Sequence, residues 1–301
     1  MLCRADDGRW ALALEAMADS LAKSFGAQAD RSKAVERARL ALQSDRPHDA
    51  EQIADEILKH DPHHAQALHI RGCVLLMRKR FADAIAPLES AALSLRDPET
   101  DTLLAMALRE AGRHDEALAR LRRLTKRRPR YAPAFRELGY LLMVLEQFDE
   151  AIEALGCGLE IAPMMPQLWT QLGNVSLRRR NYAEAKSAFA RALEISPTSS
   201  DALFGMAKTL HSLGEYGSAV DYYRRCLRAT PEEAVTWLGL GHCLLALGEL
   251  EAGYDCFRTA ARGDAKRYGR ALTSLAASGR GRLWLRPSAA TRFFSPKRQN
   301  D

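Results

Sequence analysis

Small residues recur along this chain at a fixed interval, and that interval constrains the fold more than any other feature of the sequence. Alanine and glycine form a first column with a spacing of about 34 residues, at Ala38, Gly72, Ala105, Gly139, Gly173, Ala207 and Gly241. A second column follows about twelve residues behind the first, at Ala50, Ala84, Ala117, Ala151, Ala185, Ala219 and Gly253. A period of this length indicates a stack of similar supersecondary units, each of which buries its neighbour's apolar face.

Each unit is predicted to contain two helices that meet at the small residues. In residues 166–199, Trp169, Leu172 and Gly173 share one helical face because they are spaced i, i+3 and i+4. Ala185 belongs to the second helix, and we expect it and Gly173 to lie where the two helices are in contact. A proline closes most units, because it cannot continue the second helix. The closing prolines are Pro62, Pro129, Pro163, Pro197 and Pro231, with Pro98 displaced in one short unit.

The chain resembles the tetratricopeptide repeat family over residues 31–267. The pattern of that family is an aromatic residue, Leu-Gly, an aromatic residue or Leu, Ala, an aromatic residue, Ala and Pro. One unit matches it with Trp169, Leu172, Gly173, Tyr182, Ala185, Phe189, Ala192 and Pro197. The resemblance implies an all-α fold, an α-solenoid with a right-handed superhelix of about seven helix pairs. The predicted repeats are 31–64, 65–97, 98–131, 132–165, 166–199, 200–233 and 234–267.

Four repeats depart from the pattern: the first has Ala34 and Ala54 where bulky residues are expected, and the seventh has Ala265 in place of the closing proline. The third repeat has Asp101 at the aromatic position, and the second carries Pro87 inside its second helix, which is expected to kink that helix. We expect capping helices in residues 1–30 and 268–279, because the end repeats have no neighbour to cover them. Residues 280–301 form a basic, aromatic tail. It is predicted to dock on its own repeats, to dock on a second copy or to be disordered.

Composition narrows the class of protein further. A hydrophobic content of 47% suits a packed core, and only 7% aromatic residues argues against a β-sandwich or barrel. No apolar run reaches the ~18 residues that a membrane span needs, and the first residues lack the features of a signal peptide. The six cysteines are scattered without a C-x-x-C pair, so we expect reduced thiols. The sequence therefore predicts a cytoplasmic protein.

The resemblance implies a concave face lined by the first helix of each pair, and the candidate binding site lies there. First-helix positions that do not contact the paired helix are three and four residues apart, so they share one stripe. The candidate groove residues are Arg136, Tyr140, Thr170, Asn174, Phe204, Lys208 and His242. Amide and cationic groups suit the backbone and carboxylates of a peptide, and aromatic rings suit its apolar side chains. The alternative is that the stripe is only a solvated surface.

A basic run follows on the second helix of the third repeat and the turn after it. It consists of Arg120, Arg122, Arg123, Lys126, Arg127, Arg128 and Arg130. Such a run can contact nucleic acid or an acidic partner. Only Tyr131 accompanies it as an aromatic residue, and no nucleic-acid fold signature is present. We therefore expect a solvated surface and regard nucleic-acid binding as the weakest of three functional hypotheses.

Four histidines cluster around the turn between the first two repeats, namely His60, His63, His64 and His69. Imidazoles this close in sequence can bind a metal ion, but no cysteine shares the spacing and no motif completes a ligand set. We therefore expect no metal and no cofactor.

Catalysis has no support in the sequence, which lacks a phosphate loop, G-x-S-x-G and H-E-x-x-H. The leading hypothesis is a non-enzymatic adaptor or scaffold that binds a protein or peptide segment in the concave groove. The alternative is a self-assembling scaffold that forms a homo-oligomer. The identity of the partner does not follow from the fold.

Overall fold

A computed structural model describes residues 30–262, 267, 269–271 and 273. The predicted capping helices, residues 1–30 and 268–279, fall largely outside these residues, and the predicted tail, residues 280–301, falls wholly outside them. The limits of the predicted repeats and caps therefore stay predictions.

Every regular element among the described residues is an α-helix. The helices are α1 (30–43), α2 (Pro47–His60), α3 (Ala65–Met77), α4 (Phe81–Leu95), α5 (Pro98–Glu110), α6 (His114–Thr125), α7 (Ala132–Val144), α8 (Phe148–Ile161), α9 (Pro166–Arg178), α10 (Tyr182–Ile195), α11 (Ser200–Ser212), α12 (Tyr216–Ala229), α13 (Ala234–Leu247) and α14 (Leu250–Ala260). Consecutive helices pack on each other from α2 to α6 and from α8 to α14. This arrangement confirms the predicted all-α solenoid built from helix pairs. The helix α4 continues through Pro87 without a break.

The described residues form two compact units, each of which contains several repeats. The first unit extends up to Glu137, and the second unit begins at Leu138. In the first unit, one core cluster is aliphatic and includes Ile57, Ile70 and Val74. In the second unit, one core cluster contains two buried aromatic rings, Phe189 and Tyr223.

Both columns of small residues are buried, as the repeat pattern predicts. A Cβ atom placed on Gly173 of α9 would lie 2.8 Å from the ring of Phe189 on α10. The two helices therefore approach closely at this point, and the predicted contact at Gly173 is confirmed. Ala185 is fully buried in the same core cluster as Phe189. The ring of Phe189 also lies against the next pair, because a Cβ atom on Gly205 of α11 would come within 2.3 Å of it.

The turn inside each helix pair has the same backbone in all seven pairs of the described chain. Each turn has one residue with a positive φ just after the first helix: the second residue after the helix in six pairs, namely Asp45, Lys79, Gly112, Glu146, Arg180 and Gly214, and the first residue after α13, Gly248. The next N–H donates to a carbonyl five residues earlier, as from Arg80 N to Leu75 O at 2.9 Å and from Asn181 N to Ser176 O at 2.8 Å. This is the Schellman ending of a helix, which satisfies carbonyls left open in the last turn.

The first aromatic residue of the repeat pattern connects a first helix to the turn before it. The indole Nε1 of Trp169 donates to the carbonyl of Pro163, and that of Trp237 donates to the carbonyl of Pro231, both at 2.8 Å. Each of these prolines stands two residues after the end of the preceding helix. A hydrogen bond thus joins the closing proline of one repeat to the tryptophan of the next.

Candidate binding groove

The best-defined part of the predicted groove lies in the second unit, on the first helices of three consecutive pairs. Asn174 on α9, Lys208 on α11 and His242 on α13 occupy the same register, and α11 packs against both α9 and α13. Asn174 and His242 are partly buried, whereas Lys208 is exposed. The structure therefore brings an amide, a cation and an imidazole onto adjoining helices.

Lys208 and Phe204 form the centre of this surface. The Lys208 ammonium lies 5.7 Å from the centre of the Phe204 ring, within the range of a cation–π contact. Phe204 is partly buried, and its ring meets the buried ring of Tyr223 edge to face with centroids 6.1 Å apart. The core thus holds the aromatic ring in place, and the ring in turn positions a cation that remains open to solvent.

His242 is paired with His211, one turn beyond Lys208 on α11. The two rings are nearly parallel, with centroids 6.2 Å apart, and the edge of the stack is closed by Phe257, 5.1 Å from His242. Burial lowers the pKa of His211, and burial together with the neighbouring His211 lowers the pKa of His242. Both imidazoles are therefore neutral at pH 7, where they act as polar and aromatic surface and not as cations.

The other predicted groove residues are placed differently. Thr170 is buried, with 6% of its surface exposed, and its hydroxyl donates to the carbonyl of Pro166 within α9. Tyr140 on α7 is partly buried in the second unit. Arg136 is also partly buried, but it belongs to the first unit. The candidate site is therefore best represented by Asn174, Phe204, Lys208 and His242, and their role in binding stays a prediction.

Models of one family match most of the described chain. Models described as "Tetratricopeptide repeat" match residues 35–99, 102–156 and 164–232, more than half of the sequence. The chain belongs to the tetratricopeptide repeat family. No curated protein sequence matches it.

Solved structures support the same fold. A tetratricopeptide repeat protein from Parabacteroides merdae is 17% identical, with a TM-score of 0.61, and the match covers 83% of this chain and 98% of that one. The human IFIT1 dimer with PPP-AAAA is 16% identical, with a TM-score of 0.69 over 82% of this chain and 63% of that one. Pseudomonas aeruginosa pilF is 20% identical, with a TM-score of 0.58 over 68% and 95%.

The basic run of this tetratricopeptide repeat protein is not a uniform solvated surface. Asp101 on α5 is buried at 5% exposure, and its two oxygens accept hydrogen bonds from Arg120 Nη1 at 2.6 Å and Arg127 Nη1 at 2.8 Å. In the sequence, Asp101 stands out as a departure from the repeat pattern and the arginines as a run, and the repeat pattern alone does not connect them. The sequence did contain a signal for this contact, because a carboxylate at a position that is normally aromatic and buried requires a cationic partner.

The four histidines near the turn between the first two repeats lie in different environments. His69 is buried, and its Nδ1 lies 2.8 Å from the Thr100 hydroxyl on α5. The Nδ1 of His64 accepts from the N–H of Ala67 and caps α3, while His60 and His63 are exposed. Within the described residues, no group of three or more histidine, cysteine or acidic side chains is arranged to hold a metal ion.

The described cysteines, Cys73, Cys157, Cys226, Cys243 and Cys256, are free. Burial raises the pKa of Cys243 to about 12 and that of Cys256 to about 11, so these thiols are protonated and unreactive.

In the part of the chain that the structure describes, no helix is both long enough and apolar enough to cross a membrane.

Proposed function

We propose that this protein is a non-enzymatic adaptor that binds an extended or helical segment of a partner protein along α9, α11 and α13. The fold is one of protein-interaction scaffolds, and the finer assignment rests on the second unit. The observation that carries it is the exposed Lys208 ammonium held over the Phe204 ring, beside Asn174 and His242 on adjoining helices.

The chemistry of this surface suits a peptide. An asparagine amide donates and accepts at once, so Asn174 can bond the N–H and C=O of one backbone unit. Lys208 supplies a cation for a carboxylate, and Phe204 supplies apolar contact for the side chain next to it. With both histidines neutral, Lys208 is the cation of this central surface among the residues described here.

An affinity experiment with one test variant and one matched control addresses this proposal. Wild-type protein, Asn174→Ala/Lys208→Ala and Arg228→Ala are used to capture partners from the cells that produce the protein, and captured proteins are identified by mass spectrometry. The partner that wild type captures is then titrated against all three proteins. The double variant is expected to bind about tenfold more weakly, because two specific polar contacts are lost.

Arg228→Ala is the control because Arg228 is an exposed cation on α12, away from the candidate residues. It is expected to bind as wild type does. Because Lys208 is exposed and Asn174 only partly buried, the double variant is expected to unfold within about 1 kcal/mol of wild type. Equal partner affinity of the double variant and wild type would reject this surface as the binding site.

Self-association is the second candidate function, and exposed apolar side chains at the last described helix pair favour it. Leu247 is 47% exposed and Leu250 is 43% exposed, on either side of the turn between α13 and α14. An exposed apolar pair can join two copies of a chain. Light scattering after size exclusion tests this: self-association requires a particle heavier than one chain that returns to one chain in Leu247→Ser/Leu250→Ser.

A further inference from the structure

A second recognition site lies in the first unit, in a cleft between α4 and α6. We call it the arginine cleft and define it by Leu93, Arg96, Asp101, Arg120, Arg123 and Arg127, which line an open volume of about 810 Å³. It involves none of the candidate groove residues.

The arginine cleft has a carboxylate at a position where the cleft of the last described helix pair has an indole. Asp101 is the fourth residue of α5, and Trp237 is the fourth residue of α13. Trp237 lines a cleft of about 570 Å³ that is otherwise formed mainly by apolar side chains, including Leu227 and Cys256. Replacing an indole by a carboxylate vacates space and places a buried negative charge at the base of the cleft. Arg120 and Arg127 fold over that charge.

The ion pairs with Asp101 hold two guanidinium groups in fixed positions. Arg120 and Arg127 each use one terminal nitrogen for Asp101, and a guanidinium has five N–H donors. Their side chains remain 23% and 45% exposed, so part of each group faces solvent. Fixed guanidinium groups bind carboxylates with a smaller loss of conformational entropy than free ones.

Two further arginines complete the positive surface. Arg96 and Arg123 are exposed, and neither forms an ion pair with another described residue. Four guanidinium groups therefore face two carboxylates, Asp101 and Glu89, and Asp101 is already engaged. The cleft has an excess of positive charge and attracts a ligand that brings carboxylates.

An apolar side chain at the rim distinguishes a protein ligand from a nucleic acid. Leu93 is 77% exposed at the edge of the cleft, next to Ala92. Among the described residues, no aromatic ring on which a base would stack lines the arginine cleft. We propose that the arginine cleft binds an acidic segment of a partner protein, with carboxylates on Arg96, Arg123 and Arg127 and an apolar side chain on Leu93.

Fluorescence anisotropy with a defined probe tests this proposal. The probe is a fluorescein-labelled Glu-Glu-Leu-Glu-Glu peptide, compared with Gln-Gln-Leu-Gln-Gln and with a ten-nucleotide oligothymidine. The full chain is expected to bind the glutamate peptide more tightly than either comparison probe, with an affinity that falls as salt is raised. No binding of the glutamate peptide, or tighter binding of the oligothymidine that depends on the same arginines, would overturn the proposal.

Substitutions then locate the bound peptide. Arg96→Asn/Arg123→Gln removes two exposed charges, and asparagine tolerates the positive φ of 52° at position 96. This variant is expected to bind the glutamate peptide about fivefold to tenfold more weakly. Arg224→Gln/Arg228→Gln in the cleft at Trp237 also removes two exposed charges, so it is the matched control and is expected to bind as wild type does. An equal loss of affinity in both variants would show non-specific attraction and reject the site.

Leu93→Ser tests the apolar contact separately. It is expected to weaken binding of the peptide with a central leucine about threefold and to leave a Glu-Glu-Gly-Glu-Glu peptide unaffected. A similar loss for both peptides, or none for either, would contradict the contact with Leu93. All of these positions are exposed, so thermal unfolding by circular dichroism is expected to match wild type.

Discussion

The two units fill equivalent spaces between their helices with different chemistry. The first unit contains buried ionic groups, including Asp101 with its two arginines and Glu137 with Arg109 at 2.6 Å. The second unit contains the three largest fully buried side chains of the described residues, Tyr223, Phe189 and Phe257. The repeat geometry is thus compatible with either solution. What it requires is small residues at the helix contacts and a side chain or ion pair that fills the remaining volume.

The largest effect is expected where an aromatic ring is shared between two helix pairs. Phe189→Ala should destabilise the second unit by about 3–5 kcal/mol, because the ring packs against both Gly173 and Gly205 and is fully buried. Leu88→Ala is the matched change in the first unit, where Leu88 packs against Gly72. It should cost about 2–3 kcal/mol. Urea unfolding followed by circular dichroism measures both, and an equal cost would contradict the comparison of the two units.

An intermediate effect is expected from removing the buried carboxylate of the first unit. Asp101→Leu leaves Arg120 and Arg127 without their partner and should cost about 2–3 kcal/mol, less than for a fully buried pair because Arg127 is 45% exposed. The double variant Asp101→Leu/Arg120→Leu should regain at least half of that loss. A double-mutant cycle from urea unfolding checks this. Additive losses would show that the ion pairs do not couple the two positions.

A smaller effect separates the two units by their response to acid. Burial lowers the pKa of His69 in the first unit, but Glu99 and Asp97 oppose that shift, whereas the second unit contains two histidines, His211 and His242, whose pKa is lowered by burial. A histidine whose folded pKa is below 6.5 binds fewer protons folded than unfolded, so stability falls as pH drops below 6.5 towards the folded pKa. The second unit should therefore lose stability earlier.

The fluorescence of Trp169 and Trp237 follows the second unit when Trp10 and Trp284 are replaced by phenylalanine. In that background, the urea midpoint should fall steadily from pH 7 to pH 5.5. The variant His211→Gln/His242→Gln should show a shallower fall. A midpoint that is constant over this range in the parent protein would contradict the assignment of the neutral histidine pair.

The smallest effect is expected to be the same in both units, because they share one turn. Lys79 and Arg180 have φ values of 59° and 64°, which cost energy for residues with a Cβ atom. Lys79→Gly and Arg180→Gly should each stabilise the protein by about 0.5–1 kcal/mol, after the entropy of the unfolded glycine is subtracted. Gly214→Ala should have the opposite sign. Thermal unfolding measures all three, and destabilisation by both glycine variants would refute the argument.

The sequence predicts the helix pairs well, but it predicts poorly which side chains pack between them. Two helices approach closely only where small residues lie between them, and this requirement recurs in every repeat. Gly173 and Ala185 are therefore recognisable as members of periodic columns. Gly205 does not belong to either column, and its contact with Phe189 arises between repeats. The left-handed turn residues escape notice for a different reason, because Lys79 and Arg180 lack the glycine signature.

The candidate groove shows the same limit. Helical spacing places Asn174, Lys208 and His242 in one register, and the structure puts them on adjoining helices. Spacing alone does not indicate that Thr170 is buried or that its hydroxyl is used within α9. It also does not indicate that His211 and His242 stack, because that contact joins residues from different repeats.

The position of Phe189 between two helix pairs has a consequence for synthesis on the ribosome. Its ring can pack against Gly173 as soon as α9 and α10 have emerged, but its other face stays open until α11 arrives with Gly205. At roughly 5–20 residues per second, that face is exposed for about one to several seconds. A nascent chain that ends at such a repeat therefore exposes an apolar surface. The speed of translation through α11 sets how long a chaperone or a neighbouring nascent chain can bind that surface.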